Sequence, residues 1–294
     1  MTSTRRSNRA TFRPRNSVDE EQEEEETPRE EIVPGVARAL SPMVRRILAT
    51  NPGPRTGLGT NSYMVGIDEI AVIDPGPLDN DHLDAITGCG GDLIRWIIAT
   101  NADDHHAESV AALKERTGAV VMAMCDIEKD EELKPGQQIV GTEFRLTIKH
   151  LPGPSADNIG LMLEEERTLI SGDLIVEGGS MAIVPPSGNM TDYITSLESL
   201  KKLRLKRIAP AHGHLIENPK EVIDEYLSHR ADREKEVLKA VKSGASRVED
   251  VVTVIYGDEL EVEIRELAEG TVHAHLIKLK GERKVKGTKN WAVA

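Results

Sequence analysis

Leu93-Ile94-Arg95-Trp96-Ile97-Ile98-Ala99 is apolar on nearly every position and runs straight into Thr100-Asn101-Ala102-Asp103-Asp104-His105-His106. A run without polar alternation reads as a strand buried on both faces, which requires other layers above and below it. Glu108 to Arg116 then reads as a helix. The chain therefore contains a doubly covered sheet in which one strand ends in a loop crowded with imidazoles and carboxylates. Loops at strand ends are where a rigid scaffold presents chemistry, and His with Asp is a metal-binding combination.

The rest of the composition suits that frame. With 294 residues there is room for one large domain and a small one. Aromatic residues make up only 3%, so the core must be built from Ile, Leu, Val, Ala and Met. A net charge of −13 argues against a general nucleic-acid or anionic-membrane binder. The two cysteines, Cys89 and Cys125, make neither a disulfide framework nor a thiolate zinc site and fit a reducing, cytoplasmic setting. No apolar run approaches a membrane span. Arg5, Arg6, Arg9, Arg13 and Arg15 precede an acid-dominated stretch from Asp19 to Glu31. Residues 1–31 are expected to be a disordered charged tail, with an Arg- and Ser-rich organelle transit peptide as the lesser alternative.

Strands are expected at Val44 to Thr50, Asn61 to Ile67, Ile70 to Ile73, Ala119 to Met124, Thr142 to Leu151, Ile159 to Leu163, Thr168 to Ile170 and Arg207 to Pro210. Asp79 to Ile86 and Asp192 to Leu203 read as helices, the second capped by Thr191. After Pro219 the pattern changes. Lys220 to Val241 is long and amphipathic, further helices are expected at Val248 to Tyr256, Glu259 to Ala268 and Gly270 to Lys280, and Val285 to Val293 reads as a hairpin. Strands, outer helices and His- or Asp-bearing strand ends make an α/β sandwich of two sheets with a helical annex.

Four segments in order resemble the metallo-β-lactamase superfamily: the loop at 100–106, His150-Leu151-Pro152-Gly153-Pro154-Ser155, Ser171-Gly172-Asp173-Leu174 and Pro210-Ala211-His212-Gly213. Asp74-Pro75-Gly76 resembles a further superfamily turn that orients the site. Val184-Pro185-Pro186-Ser187-Gly188-Asn189-Met190, the helix around Tyr193 and the C-terminal pattern are similar to the branch of lactamase-β-like endoribonucleases and thioesterases. The resemblance implies an αββα sandwich over 32–218 and a winged-helix-like domain over 219–294.

It also implies a hydrolase whose site is altered. The superfamily holds two zinc ions, and the positions serving the first are here Asn101, Asp103 and Pro154. Proline has no donor and an amide is a poor zinc ligand, so that half-site is dismantled. The second half-site corresponds to His105, His106, Asp173 and His212. Three imidazoles and a carboxylate suit one divalent ion, zinc first, with iron or manganese as alternatives. Asp103, Asp104 or His105 would handle the proton of the attacking water. The implied substrate is an ester, thioester or lactone, or RNA as the phosphodiester competitor; self-association stays open. The alternative is a metal-free binding or scaffold protein on the same fold, since fold does not establish activity. His273 and His275, two apart on a helix, read as surface residues. Trp291 either lines the site entrance or pins the hairpin to the helices.

Overall fold

The computed structural model describes residues 31–294; the expected tail lies outside the described residues apart from Glu31. A seven-stranded sheet is laid down in chain order: β1 (Arg38–Ala39), β2 (Val44–Leu48), β3 (Asn61–Val65), β4 (Ile70–Ile73), β5 (Ile94–Ala99), β6 (Val120–Ala123) and β7 (Glu131–Glu132). Pairing is antiparallel up to β4 and parallel from β4 to β7. A five-stranded sheet follows, with β8 (Gln138–Val140), β9 (Arg145–His150), β10 (Ile159–Leu163), β11 (Thr168–Ile170) and β12 (Arg207–Ala209) in the order β12-β11-β10-β9-β8.

The two sheets face each other. Successive strand residues point to opposite faces, so Ile98 of β5 enters the core between the sheets with Ile73, Leu146, Ile148 and Leu161. Its neighbour Ile97 enters the outer core, against Leu83 and Ile86 of α1 (Asn80–Gly90) and Leu113. α2 (Asp104–Ala107) and α3 (Val110–Thr117) follow β5. The other sheet carries Met162, Leu169 and Ile208 outwards onto Tyr193, Leu197 and Leu200 of α4 (Met190–Leu200). The result is the expected helix-sheet-sheet-helix layering.

α5 (Pro219–Lys242) spans two cores. Its first half packs Ile223 and Tyr226 into the outer layer of the second sheet. Its second half packs Val237 and Val241 with α6 (Val248–Tyr256), α7 (Val262–Gly281) and the terminal hairpin β13 (Val285–Lys286) and β14 (Ala292–Val293). Trp291, only 3% exposed, lies in that last core, so it pins the hairpin to the helices.

Several local expectations are corrected. The helix expected at Glu108 to Arg116 is α3, but a short helix, α2, precedes it, so His105 and His106 sit in a helical turn rather than a loop. The cap of α4 is Asn189, not Thr191: its side-chain oxygen accepts from Thr191 N at 2.9 Å and Asp192 N at 3.3 Å. The helices expected on either side of Gly270 are one helix. Glycine is needed there because a Cβ would lie 2.8 Å from a methyl of Val184. His275 is fully buried between α5 and α7, its Nδ1 3.9 Å from Glu234, rather than on the surface.

Candidate metal centre

The site is built where β4, β5, β11 and β12 end. Asp74, in a left-handed conformation just past β4, accepts from Thr100 N at 2.7 Å and Thr100 Oγ1 at 2.8 Å. That fixes the exit of β5. The same carboxylate lies 2.9 Å from His106 Nδ1. Past β11, Gly172 turns with φ +53°, and a Cβ there would sit 2.6 Å from Asn158 Oδ1. Only glycine permits that approach, which lets Asn158 accept from Asp173 N at 3.2 Å and aim the Asp173 side chain. Past β12, His212 shares a 3.0 Å hydrogen bond between its Nδ1 and Gly59 O. Asn61 Nδ2 holds the same turn through Pro210 O and Gly213 O, both at 2.9 Å.

These three turns and α2 bring His105, His106, Asp173 and His212 together, one ligand atom from each lying within 4.8 Å of the others. Asp173 Oδ2 is 3.1 Å from His106 Nε2 and 3.6 Å from His105 Nε2, and Asp173 Oδ1 is 3.3 Å from His212 Nε2. His106, Asp173 and His212 are buried. His106 Nε2, Asp173 Oδ1 and His212 Nε2 are buried and face one another, and among the described residues no further group satisfies them.

The electrostatics point the same way. Burial acts to raise the Asp173 pKa, but His106 and contacts with all three imidazoles hold it well below the usual carboxylate range. Burial acts to lower that of His106, but Asp173 and Asp74 carry it well above the usual imidazole range. The two carboxylates thus favour positive charge here, either a proton on His106 or a bound cation in its place. Its donor set is chemically adequate for one divalent ion. Asp74 behind His106 and Gly59 O behind His212 stand where outer partners orient imidazoles that bind metal in other proteins. The residues present therefore fit a divalent metal.

The other positions read from the sequence lie elsewhere. Asp103 is turned away, its Oδ2 2.7 Å from an Arg55 guanidinium nitrogen in an exposed ion pair. Asp104 is exposed at the start of α2. Both border a cleft of about 410 Å³ lined also by Arg55, Pro77, His105 and Glu108, so His105 is the cluster member that faces it. Asn101 is a brace: its Nδ2 donates to Asp173 Oδ2 at 3.3 Å and its Oδ1 accepts from Asp103 N at 2.9 Å. Sequence reading missed Arg55 and Asn158. Arg55 had one weak signal, its place in a glycine- and proline-rich loop; Asn158 had none.

Comparison with known proteins adds the relatives of this arrangement. Residues 125–212 match the model of the metallo-beta-lactamase superfamily, and residues 248–291 match that of the beta-lactamase associated winged helix domain. The first match begins downstream of the altered loop at 100–106. A beta-lactamase-like protein 2 homolog of Caenorhabditis elegans is 31% identical over 237 residues, covering 74% of this chain and 78% of its own length. An atrochrysone carboxyl ACP thioesterase of Cryptosporiopsis sp. (strain 8999) is 29% identical over 281 residues, covering 86% of each. The crystal structure of a beta-lactamase domain protein from Burkholderia ambifaria superposes with a TM-score of 0.78 at 16% identity, over 91% of this chain and 96% of that one. Among the described residues, no helix is long and apolar enough to cross a membrane.

Proposed function

The chain belongs to the metallo-β-lactamase superfamily, and from that premise we propose that it is a hydrolase of esters or thioesters that works with a single divalent ion, zinc first. The observation that carries this reading is the set of four ligand atoms within 4.8 Å, three of the four residues buried, beside an open cleft. His106, His212 and Asp173 hold the ion, with His105 as fourth ligand. One ion rather than two is supported by Asp103, the strong donor left at the other half-site, being committed to Arg55. When bound, a divalent ion would supply Lewis-acid polarisation and make the attacking water more acidic.

The remaining chemistry belongs to side chains of this chain. Asp104, exposed on the cleft wall, takes the proton of the attacking water; Asp103 is the weaker candidate because Arg55 already neutralises it. Arg55, with donors beyond the one spent on Asp103, holds an oxygen of the substrate across the cleft. A thioester is favoured by the activity named for the thioesterase relative. RNA is disfavoured by a net charge of −13 and by three acids, Asp103, Asp104 and Glu108, on the cleft wall. Residues 32–218 form the catalytic domain and 219–294 the winged-helix-like one. The free thiols of Cys89 and Cys125 fit a cytoplasmic protein.

The test is elemental analysis of protein purified without an affinity tag, beside the double variant His106→Ala, His212→Ala. Thiol release from acyl-thioesters and cleavage of RNA are followed on the same samples. About one metal per chain, lost with thioester turnover in the variant, is expected. No metal in either protein after loading with Zn²⁺, Fe²⁺ and Mn²⁺ overturns the reading.

A further inference from the structure

Asp173 is followed by a segment with no regular secondary structure, residues 175–189, before α4 begins. Such a segment has to find partners for its backbone outside itself. It finds several of them on the C-terminal helices. Tyr226 of α5 makes a two-way bond with one residue: Val176 N donates to its Oη at 3.0 Å, and its Oη donates to Val176 O at 2.5 Å. Arg230, one turn further along α5, donates to Met181 O. Thr271 of α7 accepts from Ile183 N at 3.2 Å.

Arg230 is an unusual choice for such a bond. It is only 2% exposed, and its guanidinium stacks 4.9 Å from the ring centre of Tyr193. Tyr193 in turn donates from its Oη to Leu174 O at 3.0 Å, the residue next to Asp173. A buried cation is expensive to maintain, and here it is spent on a loop carbonyl and an aromatic face. The segment also reaches His212. Glu177 N donates to His212 O at 3.2 Å, and the Gly213 backbone lies so close that a Cβ there would be 2.8 Å from that of Glu177. Holding Val176 therefore holds Asp173 three residues upstream and His212 through the next residue.

We propose that Tyr226 and Arg230 are positioning residues of the metal centre, which set the spacing of Asp173 and His212 from the C-terminal helix α5. This rests on the metal-binding reading above. It makes the helices after residue 219 part of the site's construction rather than an appendage to it. Groups bonded directly to a ligand change metal affinity by roughly 10–100-fold, and Tyr226 and Arg230 act one step further out.

The experiment compares the whole protein with Tyr226→Phe, Arg230→Met, Arg230→Lys and, as a control of similar depth in the C-terminal core, Trp291→Phe. Zn²⁺ affinity is measured by competition with a chromophoric chelator, and amide hydrogen exchange is followed in the metal-free proteins. Tyr226→Phe and Arg230→Met are expected to weaken Zn²⁺ binding about tenfold, the lower end of that range. They should also speed exchange in 174–183 and 211–214. Arg230→Lys should recover part of both effects. Trp291→Phe should lower the melting temperature and leave both unchanged. Unaltered affinity and exchange in Tyr226→Phe and Arg230→Met overturn the proposal, as does an equal loss of affinity in Trp291→Phe. If the unsubstituted protein binds no Zn²⁺, the metal reading fails, and the exchange data on metal-free protein still decide whether α5 holds the two turns.

Discussion

Replacing His212 by alanine separates the ion-binding role proposed for this residue from its role in folding. Its Nδ1 is engaged with Gly59 O at 3.0 Å, which leaves Nε2 facing Asp173 Oδ1 across 3.3 Å. Either a proton on Nε2 or a bound cation satisfies both atoms, and metal addition tests for the cation. An ion present at 100 times its Kd stabilises the folded state by about 2.7 kcal/mol. For a domain of this size 1 kcal/mol moves Tm by about 2–4 °C, so the unsubstituted protein should gain about 5–10 °C on adding metal. Losing one of four ligands weakens binding at least as much as losing an outer partner, about 100-fold. At the same metal concentration the gain in His212→Ala then falls to about 0.4 kcal/mol, or about 1 °C. Without metal the variant loses one buried hydrogen bond, about 1 kcal/mol. Thermal melts of both proteins with chelator and with Zn²⁺ give all four values. A variant that keeps the full metal-dependent gain, or an unsubstituted protein with none, refutes the reasoning.

Asp74→Asn should preserve the bonds to Thr100 in part while weakening the carboxylate behind His106, and a chelator titration should show metal affinity reduced by roughly 10–100-fold. Gly153→Ala meets Tyr193 Cα at 2.4 Å from a backbone at φ +147°, so urea unfolding should show a loss of more than about 2 kcal/mol. His82, buried against Ser62 Oγ at 2.8 Å, has its pKa pushed down to about 4 by burial. The unfolded chain takes up this proton first as pH falls, so the stability it underwrites is full above about 6.5 and declines by roughly 3 kcal/mol towards pH 4. In His82→Gln the urea midpoint should depend less on pH over that window; an unchanged dependence rejects the assignment to His82. Arg55→Ala removes an exposed ion pair, so stability should move by no more than about 1 kcal/mol, while KM for the thioester rises; an unchanged KM removes Arg55 from the substrate contacts.

Much of the scaffold was legible because its signals are local. The apolar run 93–99, the alternation through Leu146 and Ile148 and the paired strands around Gly66 are patterns within a few residues, and each became a strand. His105 and His106 were visible as a cluster because they are adjacent. The break expected between Ala268 and Gly270 is absent because the helix is held by its packing on both sides, and glycine's local penalty there is accepted where Val184 leaves little room for a Cβ. Thr191 lost the cap to Asn189 by two residues, within reach of any sequence rule but decided by backbone direction.

What a side chain does at the site was settled only in three dimensions. Asp103 has the composition of a ligand, and its direction was decided by Arg55, 48 residues away. Asp74 gained its place behind His106 because β4 and β5 pair in parallel, which brings Asp74 and Thr100, 26 residues apart, to the same end of the sheet. Arg230 reaches Met181 across 49 residues, and nothing in its helical pattern marks it as a partner of the segment after Asp173. Periodicity and propensity act over one or two turns of chain, so sequence alone established the layers and the inventory of donors. The orientation of a donor depends on which non-local group satisfies or repels it, and only the packed structure supplies that group.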